Sequence, residues 1–301
     1  MMRPGQKAAT KIIGTAHAKL NLFLHVVGCR ADGFHELESL FAFTQGGDLL
    51  SAELSSDISL EVDGPFASAL NASGSNTDNL VLKAAHALRR HTGYEPGAKI
   101  SLTKKLPIAS GIGGGSADAA ATLLVLNQLW GLDLPLGNLE QIALSLGADV
   151  PACLHSAPLK VGGIGEKLEE TTLPRGYGVL LVNPGLSVST PAVFQQFREM
   201  KGEFSQPLHE WAPKGGADFI KWLAGQTVND LADPARSLCA DIVEVLDALR
   251  ACEGVLLVRM SGSGATCFAL FETSAEAAKA QEKITEAYPN WWSLADQLIS
   301  A

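Results

Sequence analysis

The chain has 301 residues, 47% apolar, 18% charged and 6% aromatic, which is the composition of an ordinary globular protein with enough length for two domains, and it excludes a disordered chain. With 23 Lys and Arg against 32 Asp and Glu its formal charge is −9, which opposes a nucleic-acid backbone, and no basic block offsets this locally. The five cysteines form no Cys-x-x-Cys pair and argue against a disulfide framework or a zinc site, while the lack of an apolar leader or of a stretch of roughly 18 apolar residues predicts a cytoplasmic protein with no membrane partner.

In chain order, residues 18–27 alternate, with Leu20, Leu22, Leu24 and Val26 on one face and Lys19, Asn21, Phe23 and His25 on the other. This predicts a half-buried strand from which Lys19 and Asn21 project together. Beyond a turn around 31–33, apolar runs at 37–43 and 58–62 predict a meandering sheet. Residues 79–91 read as a helix, with Leu80, Val81, Ala84, Ala85 and Leu88 at helical spacing and Gly93 just past its end. A strand at 99–103 leads through Pro107 into a glycine-rich loop, and 116–130 is a second helix that stops at Gly131. A third helix is expected over 139–146, with Gly147 as its C′ residue. Pro151 disfavours the α conformation at Val150, so the chain should extend there and present Asp149 on a turn.

From about Val161 the pattern changes, and a domain boundary is placed there. A buried strand at 178–182, helices at 191–200 and 235–252, strands at 255–260 and 265–271 and a helix at 275–287 predict helices packed on an antiparallel sheet. The strand pair brackets Ser261-Gly262-Ser263-Gly264, a composition sufficient for a hairpin turn. No internal repeat is evident.

The segment from Pro107 to Ala117 places four glycines, with Ser110 and Ser116, directly before a helix. Free backbone N–H groups and the helix dipole attract anions at such a position, so a phosphate fits; a flexible loop with Ser116 as a plain N-cap is the alternative. A Walker A loop would need Gly-Lys-Ser/Thr, which is absent, and the last glycine of a dinucleotide fingerprint falls on Ser116. What remains is a phosphate cradle of another design.

The run Pro107-x-x-x-Gly111-Ile112-Gly113-Gly114-Gly115-Ser116 resembles the phosphate-binding motif of the GHMP kinases. Its three-glycine form is similar to one branch, whose substrate is a cytidine diphosphate sugar-alcohol of the non-mevalonate route to isoprenoid precursors. Further blocks resemble that branch in the same order: 18–24, 30–35, 146–151, 183–185 with 189–191, 229–231 and 260–265. The resemblance covers most of the chain. It implies an α+β, two-domain GHMP kinase fold, with a left-handed βαβ crossover in an ATP-binding domain (1–161) and a ferredoxin-like domain (162–301) that contributes to the substrate cleft.

The resemblance also implies roles. Transfer of a γ-phosphoryl group requires positioning, charge stabilisation and an acceptor for the hydroxyl proton. Asp149 is the candidate base, and Lys19 would orient it and stabilise charge on the transferred group. Pro107, Ala109, Ser110, Gly111, Gly113, Gly114, Gly115 and Ser116 would hold the ATP phosphates, and Asn79, also a natural helix cap, would lie on the adenine side. On the substrate side stand Asn21, Thr190, Phe34, His35 and Phe194, the last three offering aromatic walls and a hydrogen-bonding group to a cytosine ring. Thr190 has the alternative role of an N-cap with Pro191 at N1. Where Phe34 stands, Tyr is common in the branch, so the stacking face is kept and a hydroxyl lost. Mg²⁺ is expected with ATP, with Ser116 as a candidate ligand and no Asp/Glu cluster marking a protein metal cage. Two other readings stay open: a sister GHMP kinase acting on mevalonate, homoserine or a sugar, and a non-catalytic nucleotide- or sugar-binding regulator on the same fold.

Overall fold

The computed structural model describes residues 11–72, 79–208, 211 and 216–300. The chain forms two compact units: 11–16 with Gly47–Leu106 and Gly115–Leu154, and His17–Gly46 with Pro107–Gly114 and the described residues from 155 onward. Two long strands, β1 (Ile12–Cys29) and β2 (His35–Ser55), each contribute residues to both units.

In the first unit the end of β2 pairs antiparallel with β4 (Gly97–Thr103), in register from Leu49 opposite Thr103 to Ser55 opposite Gly97. β3 (Ser59–Asp63) lies parallel to β4, and the connection between them carries α1 (Ala67–Ala72) and α2 (Leu80–Thr92). The runs read as a meander are therefore one long strand and a parallel crossover, because a helix between β3 and β4 returns the chain to the end it left. α2 ends on Gly93 at φ 66, as its position past the last apolar residue predicts. α3 (Gly114–Leu129) carries buried Ala117, Ala119, Ala120, Ala121, Leu123, Val125 and Leu126, small and apolar around most of its girth, as a helix inside a unit must be. α4 (Leu136–Leu144) ends earlier than expected, on Ser145, whose backbone N–H bonds Ile142 and Ala143 carbonyls; Gly147 is not its C′ residue.

The second unit contains the start of β2, paired antiparallel with β5 (Leu159–Gly163), which in turn pairs with β6 (Lys167–Glu170). Residues 18–26 of β1 are buried throughout, so the segment read as half-buried is covered on both faces. A four-stranded antiparallel sheet follows, in the order β10 (Trp292–Gln297), β7 (Gly178–Asn183), β9 (Cys267–Phe271), β8 (Leu257–Met260). With α6 (Thr190–Glu199), α7 (Gly216–Gln226), α8 (Ala232–Leu238) and α9 (Asp241–Arg250) between β7 and β8, and α10 (Ser274–Ala287) between β9 and β10, this is the ferredoxin-like strand order. The helix expected over 235–252 is two, because Cys239 is extended at φ −144, ψ 96 and breaks it. One apolar cluster joins β7, β9, α6, α9 and α10 through Val182, Phe271, Val193, Ile242 and Ile284. Among the described residues no helix is long and apolar enough to cross a membrane.

Candidate active site

The second unit buries a lysine. Lys19 is only 4% exposed, and an ammonium is costly to bury without partners. It donates from Nζ to Asn21 Oδ1 at 2.9 Å, and Nζ sits 4.2 Å from the centroid of the Phe41 ring, a cation–π arrangement. Asn21, 3% exposed, passes the link on: its Nδ2 donates to Ser39 Oγ at 2.9 Å, and Ser39 donates to the Phe23 carbonyl at 2.5 Å. Ser39 and Phe41 were not singled out from sequence. Their equal parity on β2 was the available signal, since residues two apart on a strand share a face.

Lys19 is also fastened to the glycine-rich loop. Its backbone N–H donates to the Ile112 carbonyl at 3.0 Å, and a Cβ on Gly113 would lie 3.2 Å from both Cβ and Cε of Lys19. The loop runs through left-handed conformations at Ala109 (φ 49), Gly111 (φ 77) and Gly113 (φ 65), and Ser110 Oγ ties it back to the Pro107 carbonyl at 2.7 Å. A chain that turns this way presents successive N–H groups to one side, the arrangement that binds anions.

The Ser261–Gly264 turn supports this loop by direct contact. Ser261 Oγ accepts from the Asn21 N–H at 3.1 Å and donates to the Gly111 carbonyl at 2.9 Å, and the Thr266 N–H donates to the Ser110 carbonyl at 3.1 Å. Asn229 fixes the turn from behind, its Nδ2 donating to the carbonyls of Met260 (2.8 Å) and Gly262 (2.9 Å). Thr190 Oγ1 meets Ser263 Oγ at 2.7 Å. The cap residue of α6 is Ser189, so Thr190 and Pro191 each stand one place further into the helix than read; Pro is tolerated there because the first-turn N–H groups have no intrahelical acceptor.

Other candidates belong to the first unit. Asn79 is the N-cap of α2, its Oδ1 accepting from the Val81 N–H at 2.9 Å. α3 begins at Gly114, two residues before the predicted start, so Ser116 is not a cap but lies within the first turn together with Gly115. The N–H groups of that first turn have no helical acceptor and carry the positive end of the dipole. Asp149 stands on a turn, as expected, and its carbonyl accepts from Cys153 N–H at 3.3 Å. Val150, however, does not extend: it opens α5 (Val150–His155), with Pro151 accommodated in the first turn.

The pyrimidine candidates sit at and near the start of β2. The β1–β2 hairpin closes with Arg30 N–H donating to the Phe34 carbonyl at 2.7 Å and Gly33 at φ 87, and Phe34 is 59% exposed. His35 is buried, stacked on Phe194 at 5.1 Å and 21° and edge-on to Phe197 at 5.8 Å. Burial, with Arg198 nearby, lowers its pKa below the usual histidine value, which favours the neutral ring with one donor and one acceptor nitrogen. Among the described residues neither of those nitrogens has a hydrogen-bond partner. No group of three or more His, Cys, Asp or Glu among the described residues is arranged to hold a metal ion.

Residues 79–157 match the GHMP kinases N terminal domain and residues 216–290 the GHMP kinases C terminal domain. The chain is 49% identical over 280 residues to a 4-diphosphocytidyl-2-C-methyl-D-erythritol kinase of Ruegeria pomeroyi, spanning 92% of this chain and 95% of that protein. It is 46% identical over 279 residues to the enzyme of the same name from Parvibaculum lavamentivorans, spanning 92% and 94%. A crystal structure of 4-(cytidine 5'-diphospho)-2C-methyl-D-erythritol kinase is similar with a TM-score of 0.79 at 32% identity, covering 96% of this chain and 100% of the other.

Proposed function

We infer that this chain, which belongs to the GHMP kinase family and within it to the 4-diphosphocytidyl-2-C-methyl-D-erythritol kinases, moves the γ-phosphoryl group of ATP to the 2-hydroxyl of that substrate, in the cytoplasm. The observation that carries the reading is the attachment of a buried lysine to a phosphate-type loop, Lys19 lying along Gly113 and bonded to Ile112. Phosphoryl transfer is mostly positioning and charge stabilisation, and a cation held in this way is pre-organised for it. In the proposal the loop amides from Ala109 to Gly114 and the first-turn amides of Gly115 and Ser116 hold the ATP phosphates, with Asn79 on the adenine side. Lys19 stabilises charge on the transferred group and Asp149 accepts the proton of the attacking hydroxyl.

Mg²⁺ enters with the nucleotide in this reading. With no group of three or more His, Cys, Asp or Glu gathered among the described residues, Ser116 Oγ would hold the ion together with phosphate oxygens and water, the oxygen ligands a hard cation prefers. When bound, the ion neutralises phosphate charge. The separate matches to 79–157 and 216–290 support a division of the chain near Val161, with the glycine-rich loop, Asn21, Phe34 and His35 before it and Thr190 and Phe194 after it, although 17–46 and 107–114 pack with the later residues.

Cytidine recognition is assigned to Phe34, His35 and Phe194, and the sugar-alcohol to the region of Asn21 and Thr190. The neutral His35 ring can pair with the edge of cytosine, and Phe34 offers an exposed stacking face. Asn21 enters through its remaining amide proton, since its oxygen and one N–H direction are committed to Lys19 and Ser39. His35→Ala is expected to weaken binding of CDP and of the substrate by about 1–3 kcal/mol, the cost of leaving a base edge unpaired, with ATP affinity unchanged. Titration calorimetry with CDP checks this; unaltered CDP binding by a folded variant moves the pyrimidine pocket elsewhere.

The activity itself is tested by incubating the protein with ATP, Mg²⁺ and a panel of alcohols that includes 4-diphosphocytidyl-2-C-methyl-D-erythritol, mevalonate, homoserine and galactose. ADP and a phosphorylated product are expected with the first alone. Turnover of another alcohol in its place would favour a sister kinase, and no turnover with any, despite nucleotide binding, would favour a regulator.

A further inference from the structure

A buried charge cluster outside the site residues lies where the chain enters the glycine-rich loop and where it leaves it. Asp48, Lys104 and Asp118 are all buried, in the first unit. Lys104 Nζ donates to Asp48 Oδ2 at 2.5 Å and to Asp118 Oδ2 at 2.6 Å. The other oxygen of Asp48 accepts two backbone N–H groups, from Lys105 at 2.5 Å and Leu106 at 2.8 Å. Those are the last residues before Pro107. Asp118 stands in the second turn of α3, the helix that the loop feeds. Lys104 is itself anchored through its backbone, N–H to the Asp63 carbonyl at 2.8 Å and carbonyl to the Phe66 N–H at 3.2 Å, at the end of β3.

We propose that Asp48, through Lys104 and Asp118, is a positioning residue for nucleotide binding: it fixes the residues before the phosphate loop and the helix after it in one frame. This deepens the kinase reading above and rests on it. The reason is geometric. A loop that binds phosphate through backbone amides gains nothing from side chains if it misfits, so its affinity depends on how firmly both ends are held. A surface contact would hold them weakly. Here one carboxylate takes two adjacent amides and an ammonium, and the ammonium carries the link to α3, all away from water, where breaking one member leaves charge uncompensated.

The cluster is not built for stability alone. Asp118 Oδ1 is buried with no partner among the described residues, and burial pushes the carboxyl up to about 7 against the pull of Lys104. A packed apolar trio would avoid that cost. An arrangement that keeps it and grips the loop entrance through two amides is explained by the loop.

The test compares Asp48→Ala with Leu139→Ala, which removes a buried apolar side chain from α4 in the same unit and takes no part in this cluster's hydrogen bonds. Melting temperature, binding of the non-hydrolysable ATP analogue AMP-PNP with Mg²⁺ by calorimetry, and KM for each substrate are measured on the full chain. Both variants are expected to melt lower than wild type. Only Asp48→Ala is expected to weaken AMP-PNP binding and raise KM for ATP, each about tenfold, with KM for the alcohol unchanged. If Asp48→Ala does not fold, Asp48→Asn decides: it keeps one carbonyl oxygen and should shift AMP-PNP affinity in the same direction by about threefold. Nucleotide affinity equal to that of Leu139→Ala, or of wild type for Asp48→Asn, overturns this proposal and leaves the kinase reading intact. A wild-type protein that binds no AMP-PNP overturns both.

Discussion

Asp149→Asn is expected to lower kcat by at least about 100-fold, the usual loss when a general base is removed, while nucleotide affinity stays near that of wild type. The substitution keeps the size and one oxygen of the side chain, so the turn before α5 and the Cys153 N–H bond to the Asp149 carbonyl should persist. What is removed is the ability to take a proton. A matched melting temperature with a collapsed kcat, measured in a coupled ADP assay at saturating ATP, is the expected result. Turnover within a few-fold of wild type would show that proton removal is either not rate-limiting or made elsewhere, and Asp149 would lose its role. Because the prediction rests on kcat and not on affinity, it separates chemistry from binding.

Gly111→Ala is expected to abolish measurable nucleotide binding and to lower the melting temperature. Gly111 has φ 77, where an L side chain is strained by about 1–3 kcal/mol. A Cβ there would also lie 2.5 Å from the Ser261 carbonyl oxygen and 2.8 Å from that of Gly264, both backbone atoms with no rotamer to escape into. The loop must therefore move away from the Ser261–Gly264 turn, and the bonds from Ser261 Oγ to Gly111 and from Thr266 N–H to Ser110 go with it. Gly93→Ala is the matched comparison, since Gly93 has φ 66 with nothing within 4 Å of its missing Cβ. It carries the strain without the collision. If Gly111→Ala binds ATP as well as Gly93→Ala does, close packing of the loop against the turn is not needed for the site.

The local patterns that a single sequence carries are those set by near neighbours, and these were legible. Gly93 after the last apolar residue of α2, Asn79 at its start, the strand around Lys19, and Ser261–Gly264 between β8 and β9 all follow from propensity, capping and alternation, which act over a few residues. The glycine-rich loop ahead of α3 was legible in the same way. Where local rules competed they misled: Pro151 disfavours helix at Val150, yet a first-turn proline has no N–H to lose, and α5 begins there.

Only tertiary structure decided which polar residues are inside. Alternation places Lys19 beside Asn21 on one strand face, but nothing nearby in sequence reveals that Phe41 and the glycine-rich loop will close over it. Asp48 and Asp118 stand 56 and 14 positions from Lys104, and no local pattern in the sequence links them before the fold brings both carboxylates to one ammonium. Burial is a property of everything that packs around a residue, most of it remote in sequence, whereas helix caps, turns and strand alternation are properties of the residue's own few neighbours. That difference in range is why the glycine-rich loop could be read from the chain and the buried cluster at its two ends could not.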